Sequence, residues 1–149
     1  MSPTVTPADE GDEDLLVELM REFYAVEHLR FDDEASRRAL AMLLGSRAYG
    51  VVYVIRAGEE TAGYLVLTFG FSLEFHGRDA LVDELYVREA FRGRGLGRAA
   101  LRAAEALCRD EGVKAIHLEI DRTNVRAQGL YRGEGYVDHD RYLWTKWLA

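Results

Sequence analysis

A chain of 149 residues with 19 Lys and Arg against 26 Asp and Glu carries a net charge of −7, and its size fits one globular domain with a full core. The acidic balance argues against a nucleic-acid footprint and suits cationic small molecules or basic peptides as partners. One cysteine, Cys108, rules out an internal disulfide and a cysteine-based metal site, and His28, His76, His117 and His139 show no metal spacing, so no metal is expected. No apolar stretch is long enough for a bilayer, and Met1 to Gly11 is polar and acidic where a signal peptide would be basic and then apolar. The expectation is a cytoplasmic protein with no membrane partner.

Met1 to Asp14 holds both prolines and five acidic residues. It reads as a terminus loosely ordered over residues 1–10, with one short edge strand around Val5. Leu15, Leu16, Leu19, Phe23, Val26 and Leu29 recur at helical spacing and predict a first amphipathic helix. Asp32 or Asp33 caps a second helix, whose apolar positions are Ala35, Ala39, Leu40, Leu43 and Leu44, with Gly45 near its end. Tyr49 to Arg56 and Ala62 to Phe71 form a hairpin across Ala57-Gly58-Glu59-Glu60. Phe75 to Asp79 is a second turn, leading into the strand Ala80 to Val87. A glycine-rich segment then opens a helix with Leu96, Ala100, Ala103, Leu107 and Cys108 inward and Arg98, Arg102, Glu105 and Arg109 outward. Gly112 stops that helix. Ala115 to Ile120 is a strand, Asn124 to Arg132 a short helix, and Tyr136 with Arg141 to Leu148 final strand material. The order describes a mixed α/β sheet in a single domain over 1–149.

The glycine-rich segment Arg92-Gly93-Arg94-Gly95-Leu96-Gly97 joins a strand to a helix N-terminus. Its glycines clear side chains from a point toward which backbone N–H groups turn, and the helix adds partial positive charge there, a cradle for phosphate. No Gly-Lys-Ser/Thr ends it, which excludes a P-loop. Gly95 to Ala100 fits G-x-G-x-x-A, with Glu119 and Asp121 where a ribose-binding acid is expected, yet Arg88 to Arg94 intervene between strand and first glycine, unlike a Rossmann turn. Alone, the segment balances a phosphate site against an ordinary surface turn.

Arg92-x-x-Gly95-x-Gly97 resembles the pyrophosphate loop of the GCN5-related N-acetyltransferases. Asn124-x-x-Ala127-x-x-Leu130-Tyr131-x-x-x-Gly135-Tyr136 is similar to that family's second signature, the helix that closes on the cofactor. The resemblance covers nearly the whole chain. It implies an α/β (α+β) fold with a central mixed, mostly antiparallel, splayed sheet flanked by about four helices. It also implies acetyl-CoA as co-substrate and homodimers paired through sheet edges. The pantetheine would lie along the backbone of Leu85, Tyr86 and Val87. Arg92, Gly93, Arg94, Gly95, Leu96, Gly97 and Arg98 would hold the pyrophosphate, and Asn124 and Ala127 would complete the cofactor site. Within the family, Phe75-His76-Gly77-Arg78, Asp83-Glu84-Leu85-Tyr86-Val87 and Phe91-Arg92-Gly93 are similar to the diamine and thialysine acetyltransferases. The two acids stand in the order Asp then Glu, and Glu89-Ala90 replaces a proline-containing pair.

Acyl transfer from a thioester to an amine poses two proton problems. An alkylamine with a pKa of about 10 arrives protonated at neutral pH and must lose a proton before attack. Asp83 and Glu84, adjacent acids on an apolar strand, are the candidate acceptors. Strand alternation sends them to opposite faces and does not choose between them. The resemblance assigns the water-mediated base to Asp83 and contact with the amine to Glu84. The departing thiolate, of pKa about 8.5, needs a proton or hydrogen bond, and the resemblance gives that role to Tyr131. Glu27, Tyr24, Glu84 and Glu119 are the candidate substrate contacts, with Phe71 and His28 as further aromatic walls. The expected activity is acetyl transfer to a primary amine of a small cationic metabolite or drug-like molecule. The alternatives are a peptide or protein amine, a coenzyme A-binding module without turnover, and nucleotide binding through the Rossmann-like reading.

Overall fold

The structure, a computed structural model, describes residues 2–149, so the expectation for Met1 lies outside it. The chain divides into two compact units, one reaching to Glu119 and the other formed by Ile120–Ala149. The first holds a five-stranded sheet in the spatial order β1 (Pro3–Pro7), β2 (Gly50–Ala57), β3 (Glu60–Ser72), β4 (Gly77–Val87), β5 (Ala115–Leu118). Neighbours are antiparallel except β4 and β5, which run parallel. This is the mixed, mostly antiparallel sheet the resemblance implies. A sheet with one parallel pair is not the doubly wound parallel sheet of a dinucleotide-binding fold, which removes the Rossmann-like reading.

Local chemistry sets most element boundaries. Prolines bound the edge strand β1, where a missing N–H breaks no ladder on the open side. Asp9 and Asp12 form a reciprocal capping box around the short 3₁₀ turn that leads into α1 (Glu13–Val26). The chain leaves α1 through His28 at φ 57°, so Leu29, expected on the helix, lies beyond it and is exposed. Asp32 caps α2 (Asp33–Gly45), its Oδ1 accepting from Ala35 N at 3.0 Å.

Alternation then sorts the sheet's two faces. Val52, Val54, Tyr64, Val66 and Tyr86 form one core with Leu16, Val17 and Leu19 of α1 and Leu40 of α2. The intervening Val51, Tyr53, Leu65 and Leu67 turn to the opposite face, where α3 (Leu96–Asp110) packs. Leu96, Ala100, Leu101, Ala104 and Cys108 of α3 are buried. Ala103 and Leu107, expected inside, are only half-buried, because the i, i+4 row 96–100–104–108 forms the centre of the contact and pushes them to its flank.

Two irregularities in β4 position the site. Strand β5 pairs only with Asp79 to Val82, while β3 continues alongside β4 to Val87. Residues 83–87 therefore have a hydrogen-bonded neighbour on one side only, which is the expected splay. Where the strands part, Val66 pairs with Glu84 and Leu67 with Val82, leaving Asp83 as the extra residue of a β-bulge. The bulge also resets the phase of alternation. Val82 pairs with Leu67 on the α3 side, whereas Glu84 and Tyr86 pair with Val66 and Tyr64 on the α1 side.

In the second unit, Asn124 Oδ1 accepts from Ala127 N at 3.1 Å and starts α4 (Val125–Gly133). Arg141 to Leu148, expected as strand, is neither strand nor helix. The run is apolar enough for a strand, but a strand exists only through a ladder partner, and this one has none among the described residues. Its Tyr142, Leu143, Trp144, Trp147 and Leu148 are exposed.

Candidate active site

At the bulge, Glu84 is gripped through both carboxylate oxygens. Tyr64 Oη donates to Oε1 at 2.7 Å, and Tyr24 Oη, from α1, donates to Oε2. Tyr64 is wholly buried in the strand core, with Phe23 edge-on to it and to Tyr24. Burial pushes the Glu84 carboxyl above the usual carboxylate range, the two phenol donors oppose that rise, and the neighbouring Asp83 charge adds to it. Both phenols are themselves pushed up, first by burial and then by Glu84.

Asp83 differs in its surroundings. Its side chain keeps access to solvent, burial of its surroundings raises its carboxyl, and among the described residues no group donates a hydrogen bond to it. Simple alternation would send Asp83 and Glu84 to opposite faces. The bulge removes that constraint, and the Asp83 charge acts on the same two phenols that hold Glu84.

A second polar cluster ties α1 to the end of β4. Arg88 Nε and Nη2 donate to Glu22 Oε1 and Oε2 at 3.0 and 2.7 Å, and Tyr86 Oη donates to Glu22 Oε1 at 3.1 Å. Arg88 N and Nη1 also donate to Ala62 O at 2.7 Å and Thr61 O at 3.1 Å. The Arg88 guanidinium holds the Glu22 carboxyl below the usual range against the opposing effect of burial. Residues 22–24 of one helix turn thus fasten β4 at Glu84, Tyr86 and Arg88, along the half of the strand that lacks β5.

Beyond β4, a 3₁₀ turn over Glu89–Phe91 leads to the glycine loop. Gly93 and Gly95 both have φ 78°, and a Cβ at either would meet nothing within 4 Å. These glycines are required by backbone conformation and not by crowding. Gly95 is the N-cap of α3 and has no side-chain oxygen to offer its first turn, so the positive end of the helix remains available to an anion. Arg92 Nε donates back to Val87 O at 3.0 Å, and the Arg94 guanidinium lies over Phe91. The Leu96 side chain is buried while Arg98 is exposed.

The remaining candidates are distributed as follows. Tyr24 and Glu84 meet directly. Leu85, Tyr86 and Val87 line the half of β4 that pairs with β3 alone. Glu27 is the exposed C-cap of α1, Glu119 is exposed one residue past β5, and His28 and Phe71 are exposed. Asn124 and Ala127 form the α4 cap, and Tyr131 stacks edge-on against Tyr136 within the second unit. Sequence reasoning missed Tyr64, Glu22 and Arg88. Glu22 was detectable: it falls at i+7 and i+3 from Leu15 and Leu19, an acid on the apolar stripe of α1. The apolar cleft lined by Pro7, Leu43, Leu44, Tyr53 and Leu107 involves none of these groups.

Comparison with known proteins places this arrangement. The thialysine N-epsilon-acetyltransferase of Bos taurus is 28% identical over 142 residues, covering 90% of this chain and 84% of the relative. An integron cassette protein from the mobile metagenome of Cole Harbour Salt Marsh has a solved structure that superposes with a TM-score of 0.87 at 39% identity, over 97% of this chain and 90% of the other. A soil-metagenome aminoglycoside acetyltransferase, 17% identical, shares the fold with a TM-score of 0.80 over 99% of this chain and 96% of its own. The acetyltransferase (GNAT) family model matches residues 13–136, a span that takes in α1, the acid pair, the glycine loop and the Asn124 helix, and the chain belongs to that family.

Proposed function

We propose that this protein transfers the acetyl group of acetyl-CoA to a primary amine of a small cationic molecule. The observation that carries the reading is the unequal treatment of two adjacent acids at the mouth of the β4–β5 splay: Glu84 held by two phenols, Asp83 left unbonded. The glycine loop and uncapped N-terminus of α3 suit the pyrophosphate. The one-sided backbone of Leu85 to Val87 suits the amides of pantetheine.

In the reaction, the ammonium of the acceptor sits against Glu84 and Tyr24, and Asp83 takes one of its protons directly or through a water. The freed nitrogen lone pair forms the N–C bond at the thioester carbonyl, the C–S bond breaks, and its electron pair leaves on sulfur. The nitrogen loses its second proton to solvent, and Tyr131 supplies the proton that the thiolate takes up, regaining one from solvent. Glu27 and Glu119 extend the negative wall for a second positive charge on the acceptor. Support for a small cationic acceptor comes from the thialysine acetyltransferases among the relatives and from the net charge of −7.

Free-thiol release from acetyl-CoA, measured across diamines, thialysine, aminoglycosides and peptide N-termini, tests this. Release with diamines or thialysine and not with peptides supports it. Release confined to peptides would move the acceptor class to protein amines.

A further inference from the structure

We propose that Tyr64 is a positioning residue for the acceptor: with Tyr24 it fixes the Glu84 carboxylate as the anion that receives the ammonium, leaving proton removal to Asp83. The inference rests on the acceptor reading above and adds a buried residue that holds Glu84 in the duty the resemblance gives it.

The geometry supporting it is specific. Three titratable groups face Glu84: Tyr24 from α1, Tyr64 from β3 and Asp83 on β4 itself. Each Glu84 oxygen accepts one phenol proton, which favours the ionised form and fixes the carboxyl torsion. A carboxylate so held retains a second lone pair on each oxygen for an ammonium, and protonating it would weaken a phenol hydrogen bond. Asp83 has no such donor among the described residues and can take a proton without breaking a bond. Tyr64 is 0% exposed, so it does not touch the acceptor and acts only through Glu84. Tyr24, at the helix surface, is only half-buried and is free to do both. The bulge at Asp83 breaks the alternation that would otherwise send the two acids to opposite faces.

The decisive variant is Tyr64→Phe in the full chain, which removes one hydroxyl and keeps the ring packed against Phe23. Two measurements are compared with wild type: the ¹³C-carboxyl NMR titration of Glu84, and steady-state thiol release with thialysine and acetyl-CoA. The Glu84 midpoint is expected to rise. The KM for thialysine is expected to increase about 10- to 150-fold, the loss of one hydrogen bond to a charged group, with KM for acetyl-CoA unchanged. An unmoved Glu84 midpoint would overturn the clamp. A raised midpoint with an unchanged thialysine KM would overturn the positioning role. Wild type that releases no thiol with thialysine or with any diamine would instead refute the acceptor reading, and the NMR titration would still decide the clamp.

Discussion

Tyr64 Oη lies 2.7 Å from Glu84 Oε1 across two paired strands, as the diagonal neighbour of an acid that pairs with Val66. A buried phenol thereby sets the orientation of a carboxylate at the edge of the splay, and Tyr24 completes the grip from α1. The variant Glu84→Gln isolates the charge, since an amide oxygen and an amide N–H can engage one phenol each. Its kcat/KM for the amine should fall by about 10- to 100-fold. Because burial raises the Glu84 carboxyl, its contribution to stability is present below the unfolded carboxylate pKa and is lost as pH rises through the higher folded value. At pH 7 the Gln variant should therefore melt no lower than wild type, which differential scanning calorimetry checks.

In the proposed reaction Asp83 is the base, and this sets the pH dependence of turnover. A base must be ionised, and burial raises this carboxyl, so kcat/KM should decline on the acid side at a pH above the ordinary aspartate value of about 3.9. Asp83→Asn should reduce kcat by about 10²- to 10⁴-fold and remove the Asp83 part of that limb, leaving the part set by Glu84, which must be ionised to receive the ammonium. A pH–rate profile of the two proteins is the check.

The Glu22–Arg88 pair should act on stability more than on chemistry. Glu22→Gln replaces a two-pronged ionic contact between partly exposed side chains, and the expected loss is about 1–2 kcal/mol after allowance for solvent. The Arg88 guanidinium lowers the Glu22 carboxyl, so this stabilisation is present above the unfolded carboxylate pKa and is lost as pH falls through the lowered folded value. Urea melts of wild type and variant at pH 7 and pH 3 should differ clearly at the first and converge toward the second.

Gly95→Ala separates the backbone from the space around it. A Cβ there meets nothing, yet φ 78° strains any L-residue, at about 1–2 kcal/mol. Relief of that strain would turn the first N–H groups of α3 away from the pyrophosphate. The expected result is a raised KM for acetyl-CoA with KM for the amine little changed.

How far these features can be read from the sequence depends on how local their causes are. The Asp32 and Asn124 caps depend on donors three residues away, and both are legible; Gly93 and Gly95 are legible as a glycine-rich turn, while their φ of 78° is a structural finding. The α1 stripe and the β2–β3 hairpin are also carried by short-range spacing. Tyr64–Glu84 and Glu22–Arg88 join residues 20 and 66 positions apart, and no local pattern encodes such pairings. The bulge was hidden because Asp83 is not a glycine and interrupts the apolar run no more than Glu84 does. Arg141 to Leu148 failed as a strand for the complementary reason: composition supplies strand propensity, but a ladder needs a partner from elsewhere in the chain, and this run has none among the described residues.

The chain belongs to the acetyltransferase (GNAT) family, and one assay addresses directly the proposal that it acetylates an amine. The protein is incubated with acetyl-CoA and thialysine, while free thiol and N-acetylated product are quantified together. The account predicts equimolar formation of both, dependent on the amine and lost in Asp83→Asn. Protection by acetyl-CoA against heating, without amine-dependent thiol release from any amine in the panel, would contradict it and leave a coenzyme A-binding module.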